Sequence, residues 1–387
     1  MIGTATVTVL AILAGIWLVH DSASNIAAAQ PVSLVAPFTV STFPGSGARG
    51  VALGAPVNVT VDGGRLLWVV MTDGAGKHIS GEIAPDDRSW AVPVGVLSPG
   101  ETYRISYSAS DGSGRAVTRS SSFVTQTPSK ILSGDVTPFG GHVVGVGMPI
   151  TVDFNHPVAD KGAVQAALHV TMSTPVVGAW HWFGDREVHF RPQVYWPVGE
   201  HVVVALNLAG IYAGRGTWGA VNREVNFSVG QSHISVANVL TDVMTVQANG
   251  ATIRTVPISA GRVDLPTMGG VHWVLDKEPS VIMDSATVGI PKGSPDYYYE
   301  TVYNDVHIST TGEYVHAAPW SVVSQGHQNV SHGCVNISPA DAAWFYAFSQ
   351  PGDIVNIVGS PRPPSLSVGG VADWNMTWAQ WLAGSAA

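Results

Sequence analysis

Gly54-Ala55-Pro56-Val57-Asn58-Val59 is echoed 93 residues along the chain by Gly147-Met148-Pro149-Ile150-Thr151-Val152. Each is a Gly-x-Pro turn running into alternating apolar and polar residues, the pattern of a strand with one buried face. A second pair keeps a similar offset: Pro99-Gly100-Glu101-Thr102-Tyr103 and Val198-Gly199-Glu200-His201-Val202. Both copies close on another alternating strand, Ser121-Ser122-Phe123-Val124 and Val225-Asn226-Phe227-Ser228. A period of about 95 residues, filled with short alternating strands, is the size of an immunoglobulin-like sandwich. The repeats run over 31–127 and 128–230. The chain has a single cysteine, so neither copy holds the cysteine pair of antibody domains and the likeness is architectural.

Composition agrees with this reading. A chain of 387 residues exceeds one hydrophobic core, and two to three domains are expected. The 43 glycines and 25 prolines fit turn-rich, mainly β modules. Charged residues make up only 12% and the net charge is −9 with no basic cluster, which argues against nucleic acid as a partner. The second repeat carries two aromatic clusters, Trp180-His181-Trp182-Phe183 and Tyr195-Trp196. They fit either a sandwich core and inter-domain seam or a sugar-binding surface.

Residues 1–30 read as a signal peptide or signal anchor. Met1 to Val19 is uncharged and largely apolar, and Ala27-Ala28-Ala29 is a small-residue cleavage site. The expectation is an exported protein of the cell wall or periplasmic space, held to the plasma membrane by this segment alone.

From about residue 231 the pattern changes. Val243–Val246 and Thr252–Ser259 flank the turn Ala248-Asn249-Gly250-Ala251 and predict a hairpin. Val271–Leu275 and Val281-Ile282-Met283 are expected to extend its sheet. Ser338-Pro339-Ala340-Asp341 is a helix start: a serine cap, proline at the first position and an acid in the first turn. Ile354–Val358 follows as a strand. The tail, 359–387, is proline-rich and then spaces Trp374, Trp378 and Trp381 as one helical face would.

That lone cysteine, Cys334, lies in Ser331-His332-Gly333-Cys334-Val335-Asn336. Exported proteins normally pair their cysteines, so an unpaired one calls for a chemical reason. The plain alternative is a small buried hydrophobe. The polar, turn-forming context and the two preceding histidines, His316 and His332, favour a thiol nucleophile beside an imidazole base.

Gly312-Glu313-Tyr314-Val315-His316-Ala317-Ala318-Pro319-Trp320, then Gly326-His327, then the Ser331–Asn336 run closely resembles the signature of the L,D-transpeptidases (YkuD-type catalytic domain). With two preceding sandwiches and a Trp-bearing tail, the whole chain resembles the mycobacterial peptidoglycan enzymes of that family. The resemblance implies a mainly β molecule: two immunoglobulin-like domains, a β-rich catalytic domain over 231–358 with a short helix, and a tail over 359–387 packed on it. It implies cysteine acyl transfer from a tetrapeptide stem to a diamino-acid amine, giving 3→3 cross-links, with no cofactor and no metal. Cys334 would attack, His316 would act as base, and the backbone N–H groups of Gly333 and Cys334 would hold the oxyanion. His332 would orient the cysteine or shape the pocket. Tyr298, eighteen residues before His316, would join the oxyanion hole, although its neighbours Tyr297 and Tyr299 blur the register. Trp320 and His327 would line the groove, with Met283, Ser331 and Asn336 as further substrate-pocket positions. Peptidoglycan stem peptides are the implied partners and carbapenem β-lactams the implied covalent inhibitors. Raising the pH should rescue a His316→Ala variant if the thiol ionises near the usual 8.5 or so.

The chain departs from the family pattern at three places. Ala317 stands where many relatives have serine, and only its carbonyl is needed beside His316. Val288 stands where some carry a lid aromatic. Gly261-Arg262-Val263-Asp264-Leu265 lacks a common lysine. Other readings keep the same residues: an L,D-carboxypeptidase or endopeptidase with water as acceptor, a zinc site of His316, His327, His332 and Cys334, or a wall-binding protein without activity.

Overall fold

The computed structural model describes residues 38–386. The expected signal segment, 1–30, lies outside the described residues. No helix among those described is long and apolar enough to cross a membrane.

The first repeat is a sandwich of two four-stranded antiparallel sheets. Thr39–Phe43, Asn58–Asp62, Ser89–Ala91 and Glu82–Ile83 form one, and His78–Ile79, Gly64–Thr72, Thr102–Asp111 and Ala116–Val124 the other. Alternation along Thr102–Asp111 turns Tyr103 and Ile105 into the core, where Tyr103 stacks on Phe123 at 5.4 Å. The Tyr103 hydroxyl accepts from the Ser98 amide at 2.8 Å, a tyrosine-corner arrangement that ties the preceding turn to the strand. The second repeat has the same two-sheet build over Lys130–Val229, with an added three-stranded sheet at one end. Trp180, Trp182 and Trp196 fill its core. These aromatic clusters are therefore core and seam, not a sugar-binding surface.

The repeated glycines have a shared reason. A Cβ on Gly54 would collide with the Gly210 carbonyl of the second sandwich, and one on Gly147 with Ile354 of the catalytic domain. Each Gly-x-Pro turn is thus the close-contact point with the next module. The second seam is continuous with a core: Trp273 and Ile354 belong to the same buried cluster as Trp196 and Phe227.

The catalytic domain has two sheets. Ala251–Pro257, Val243–Ala248, His233–Asn238, Ile354–Val358 and Gly270–Trp273 form the first. The hairpin turn is built on Asn249 and Gly250, both at positive φ (50° and 82°). Asp276–Asp284, Tyr299–His307, Tyr314–Ala317 and Val335–Ile337 form the second. Val281–Met283 thus belongs to this second sheet and does not extend the first. Helix Pro339–Phe348 is capped by Ser338, whose Oγ accepts from the Asp341 amide at 3.1 Å. Its Phe345 packs with Val306, Val315 and Ile337.

The tail forms two short helices, Ala372–Asn375 and Trp378–Ala383, interrupted at Met376. It packs on both the catalytic domain and the second sandwich. Trp374, Trp378 and Trp381 surround the buried Arg191 guanidinium at 4.9, 5.2 and 4.6 Å. The three tryptophans converge from two helices, where their spacing had predicted one helical face.

Candidate active site

Alternation along Tyr314–Ala317 sends Val315 and Ala317 into the core and leaves Tyr314 and His316 on the opposite face. Parallel pairing with Val335–Ile337 sets His316 beside Asn336, so Cys334 enters one residue before the strand, next to Tyr314. The turn before it is held by Ser331, whose Oγ donates to the Cys334 carbonyl at 2.6 Å and accepts from the Gly333 amide at 3.1 Å. Gly333 has φ +138°, a conformation that side chains disfavour.

Two cavities meet at the thiol. One, of about 230 Å³, is bounded by Met283, Tyr298, Glu300, His316, Trp320 and Asn336 among others. The other, of about 310 Å³, is bounded by Asp264, Val288, Thr311, Glu313 and Arg362 among others. Tyr298, His332 and Cys334 line both.

The thiol and the imidazole are both neutral at rest. Burial pushes the Cys334 thiol up to about 12, with the charges of Glu313 and Asp305 adding to it and the Tyr314 amide opposing. Its Sγ lies 3.9 Å from the Gly312 carbonyl, an acceptor that suits S–H. Burial pulls His316 down to about 4, partly countered by the Ala317 carbonyl. That carbonyl lies 3.1 Å from Nδ1 and can only accept, so Nδ1 carries the proton and Nε2 is left as a base. Alanine at 317 keeps this contact because the backbone makes it. The thiol value also changes the expectation for pH rescue: ionisation near 8.5 does not describe a thiol held at about 12.

His332 is held elsewhere. Arg262 Nη1 donates to its Nε2 at 2.9 Å, and Tyr298 packs on its ring at 4.8 Å. Burial and the Arg262 charge both keep the imidazole neutral. With Nε2 accepting and the proton on Nδ1, His332 has no free basic nitrogen and is a brace between Arg262 and Tyr298. Arg262 in turn is fixed by Asp264 at 2.8 Å and Asp296 at 2.6 Å. This arginine, in the segment that lacks the common lysine, had no assigned role from the sequence.

Of the three neighbouring tyrosines, Tyr298 lines both cavities, whereas Tyr299 points out and is 60% exposed. Burial pushes the Tyr298 hydroxyl up to about 12, which keeps it a donor. Asn336 lines the first cavity and donates to Ser321 Oγ at 3.1 Å. Trp320 stands at the mouth, its ring 6.1 Å from that of His316. Met283 and Ser331 also line this cavity.

Two sequence expectations are corrected. The Gly333 amide already donates to Ser331, so it is not an open oxyanion donor; Gly333 contributes its backbone conformation. His327 is an exposed turn residue whose amide donates to the Ser324 carbonyl, and it lines neither cavity. The proposed four-ligand zinc set therefore does not gather, and no cluster of metal-ligating side chains occurs among the described residues. The residues missed were Glu300, Glu313 and Arg362. Arg362 joins Glu313 across 49 positions of sequence at 2.8 Å, a pairing with no local signal.

Comparison with known proteins places this geometry. Residues 232–357 match a model described as the L,D-transpeptidase catalytic domain, and residues 48–212 match one described as a bacterial Ig domain. L,D-transpeptidase 2 of Mycobacterium tuberculosis (strain CDC 1551 / Oshkosh) is 39% identical over 340 residues, 88% of this chain and 83% of the relative. The solved LD transpeptidase LdtMt1 in complex with imipenem is 37% identical, with TM-score 0.53 over 60% of this chain and 100% of that one. L,D-transpeptidase 3 of Mycobacterium tuberculosis with a faropenem-derived adduct is 32% identical, with TM-score 0.50 over 59% of this chain and 97% of that one. A lone, half-buried thiol sharing a cavity with a one-sided imidazole, on a scaffold and sequence shared with these enzymes, makes this chain a member of the L,D-transpeptidase family.

Proposed function

We propose that this L,D-transpeptidase forms 3→3 peptidoglycan cross-links with Cys334 as nucleophile and His316 as general base. The observation that carries the reading is the single thiol where two cavities meet, beside an imidazole whose Nε2 alone is available. One cavity can hold a tetrapeptide donor and the other an acceptor, and both substrates reach the same sulfur.

Because both groups rest neutral, proton transfer accompanies attack. Cys334 Sγ bonds to the stem-peptide carbonyl carbon as its proton passes to His316 Nε2. The Cys334 amide and the Tyr298 hydroxyl are the proposed oxyanion donors. His316 returns the proton to the departing amine, leaving a thioester. The acceptor amine then attacks, its proton passes through His316 to the sulfur, and the C–S bond breaks.

Intact-protein mass spectrometry after incubation with a disaccharide-tetrapeptide tests this. Wild type should gain the donor less its terminal residue, and Cys334→Ala none; an adduct on Cys334→Ala would remove the central claim. Product analysis with acceptor present separates the cross-linked dimer from the hydrolysed tripeptide that an L,D-carboxypeptidase would yield. The imipenem and faropenem-derived complexes of relatives support the further proposal that carbapenems acylate Cys334. The N-terminal segment is proposed to hold the enzyme at the membrane, with the sandwiches carrying the catalytic domain into the wall.

A further inference from the structure

The two cavities differ in charge. In the second, every carboxylate is paired to a guanidinium: Glu313 with Arg362 at 2.8 Å and Asp264 with Arg262 at 2.8 Å. The first holds one acid, Glu300, and no cation. Among the described residues Glu300 makes no ion pair or side-chain hydrogen bond. Its position follows from the hairpin. In the antiparallel register Glu300 lies opposite Met283 and Val302 opposite Val281. Alternation turns Met283, Glu300 and Val302 to the cavity and leaves Tyr299 and Tyr303 outside, 60% and 58% exposed. The carboxylate therefore shares a cavity with the thiol and the base.

We propose that Glu300 receives the ammonium of the acceptor amine and makes the first cavity the acceptor side of the site. The inference rests on the reading that the acceptor is a diamino-acid side chain. Such an amine is protonated at neutral pH. A carboxylate in the cavity that leads to the thioester raises the local concentration of the ammonium and orients its approach, and does nothing comparable for water. Glu300 is thus a specificity residue that biases the acyl-enzyme toward cross-linking over hydrolysis. The extra proton leaves to solvent before attack, so the neutral amine is the nucleophile, and the remaining transfer is the one assigned to His316.

The test uses acyl-enzyme formed on the full chain with a tetrapeptide donor, so that effects on acylation drop out. It is then partitioned between water and a diamino-acid acceptor. For Glu300→Gln the acceptor KM should rise roughly two- to fivefold, as expected for an exposed charge pair, and the hydrolysed fraction should rise with it. Added salt should weaken acceptor use by wild type and leave the variant unaffected. Glu300→Asp should recover part of the effect. A neutral acceptor, hydroxylamine, should show no difference between wild type and Glu300→Gln. Equal KM and equal salt dependence in the two proteins would overturn the inference while leaving transpeptidation intact. Hydrolysis alone with every amine, in wild type as well, would overturn the transpeptidase reading on which it rests.

Discussion

At the residue scale, the site depends on which atoms are already engaged. Cys334 and His316 were legible because one unpaired cysteine follows two histidines in an exported-looking chain. What each histidine does was not legible. The Ala317 carbonyl makes His316 a one-sided base, and Arg262 occupies the matching nitrogen of His332. A prediction follows for pH. With the thiol near 12, raising the pH to 9 would ionise only about one thiol in a thousand in the absence of the base. His316→Ala should therefore acylate slowly across pH 6–9, with no recovery near 8.5. Adduct formation with a carbapenem over a pH series checks this. Recovery centred near 8.5 would contradict the raised thiol pKa.

At the element scale, the strand Tyr299–His307 carries the most unusual feature. Its pairing with Tyr314–Ala317 slips between Tyr303 and Val306, so Asn304 and Asp305 together oppose His316. Asn304 takes φ +54° to make the bulge. Asp305 is fully buried, neither of its oxygens has a hydrogen-bond partner of good geometry among the described residues, and Glu278 faces it across the hairpin. Burial, then the Glu278 charge, pushes its carboxyl up to about 7. The folded state thus keeps a proton that the unfolded chain loses near 3.8, and stability should fall as pH rises from about 4 through 7. Asp305→Asn removes that dependence. Its unfolding free energy relative to wild type, read from denaturant midpoints, should climb across this range, the gap reaching a few kcal/mol by pH 8. Parallel pH profiles of the two proteins would contradict the assignment. Alternation marks the strand in the sequence, but nothing local marks the bulge, because it is the neighbouring strand that sets the register.

At the scale of the whole molecule, one buried carboxylate joins three parts. Asp373, in the tail, accepts from His189 of the second sandwich at 2.8 Å, from Trp273 of the catalytic domain at 3.3 Å and from the Gly370 amide at 3.1 Å. Burial alone would lower His189. The charge and hydrogen bonds of Asp373, together with Glu187 at 2.7 Å, outweigh it and raise the imidazole to about 9. A base whose folded pKa lies above the usual 6.5 adds stability that is full below 6.5 and lost as pH rises through about 9. Asp373→Asn should therefore lose several kcal/mol at pH 6, as breaking a buried pair does, with a smaller deficit at pH 9.5. Denaturant midpoints at the two pH values check it; an equal deficit at both would show that His189 does not carry the charge. Cutting the chain at 230 should also destabilise the catalytic part, since Trp273 and Ile354 complete the core of the second sandwich.

The β-sandwich repeats, the hairpin at Asn249-Gly250, the Ser338-capped helix and the Cys334/His316 pair were determined by local sequence. Each rests on periodicity, turn chemistry or residue type within a short window. Only the tertiary structure decided that Trp180 and Trp196 are core, that the repeated glycines Gly54 and Gly147 are contact points between modules, and that His327 lies outside the site. It alone decided that Glu300 is the acid without a cation in the cavity that the thiol and His316 share. These outcomes depend on which distant groups share a space: burial, ion pairing and the availability of a nitrogen or an amide are properties of neighbours, and neighbours are chosen by packing rather than by position along the chain.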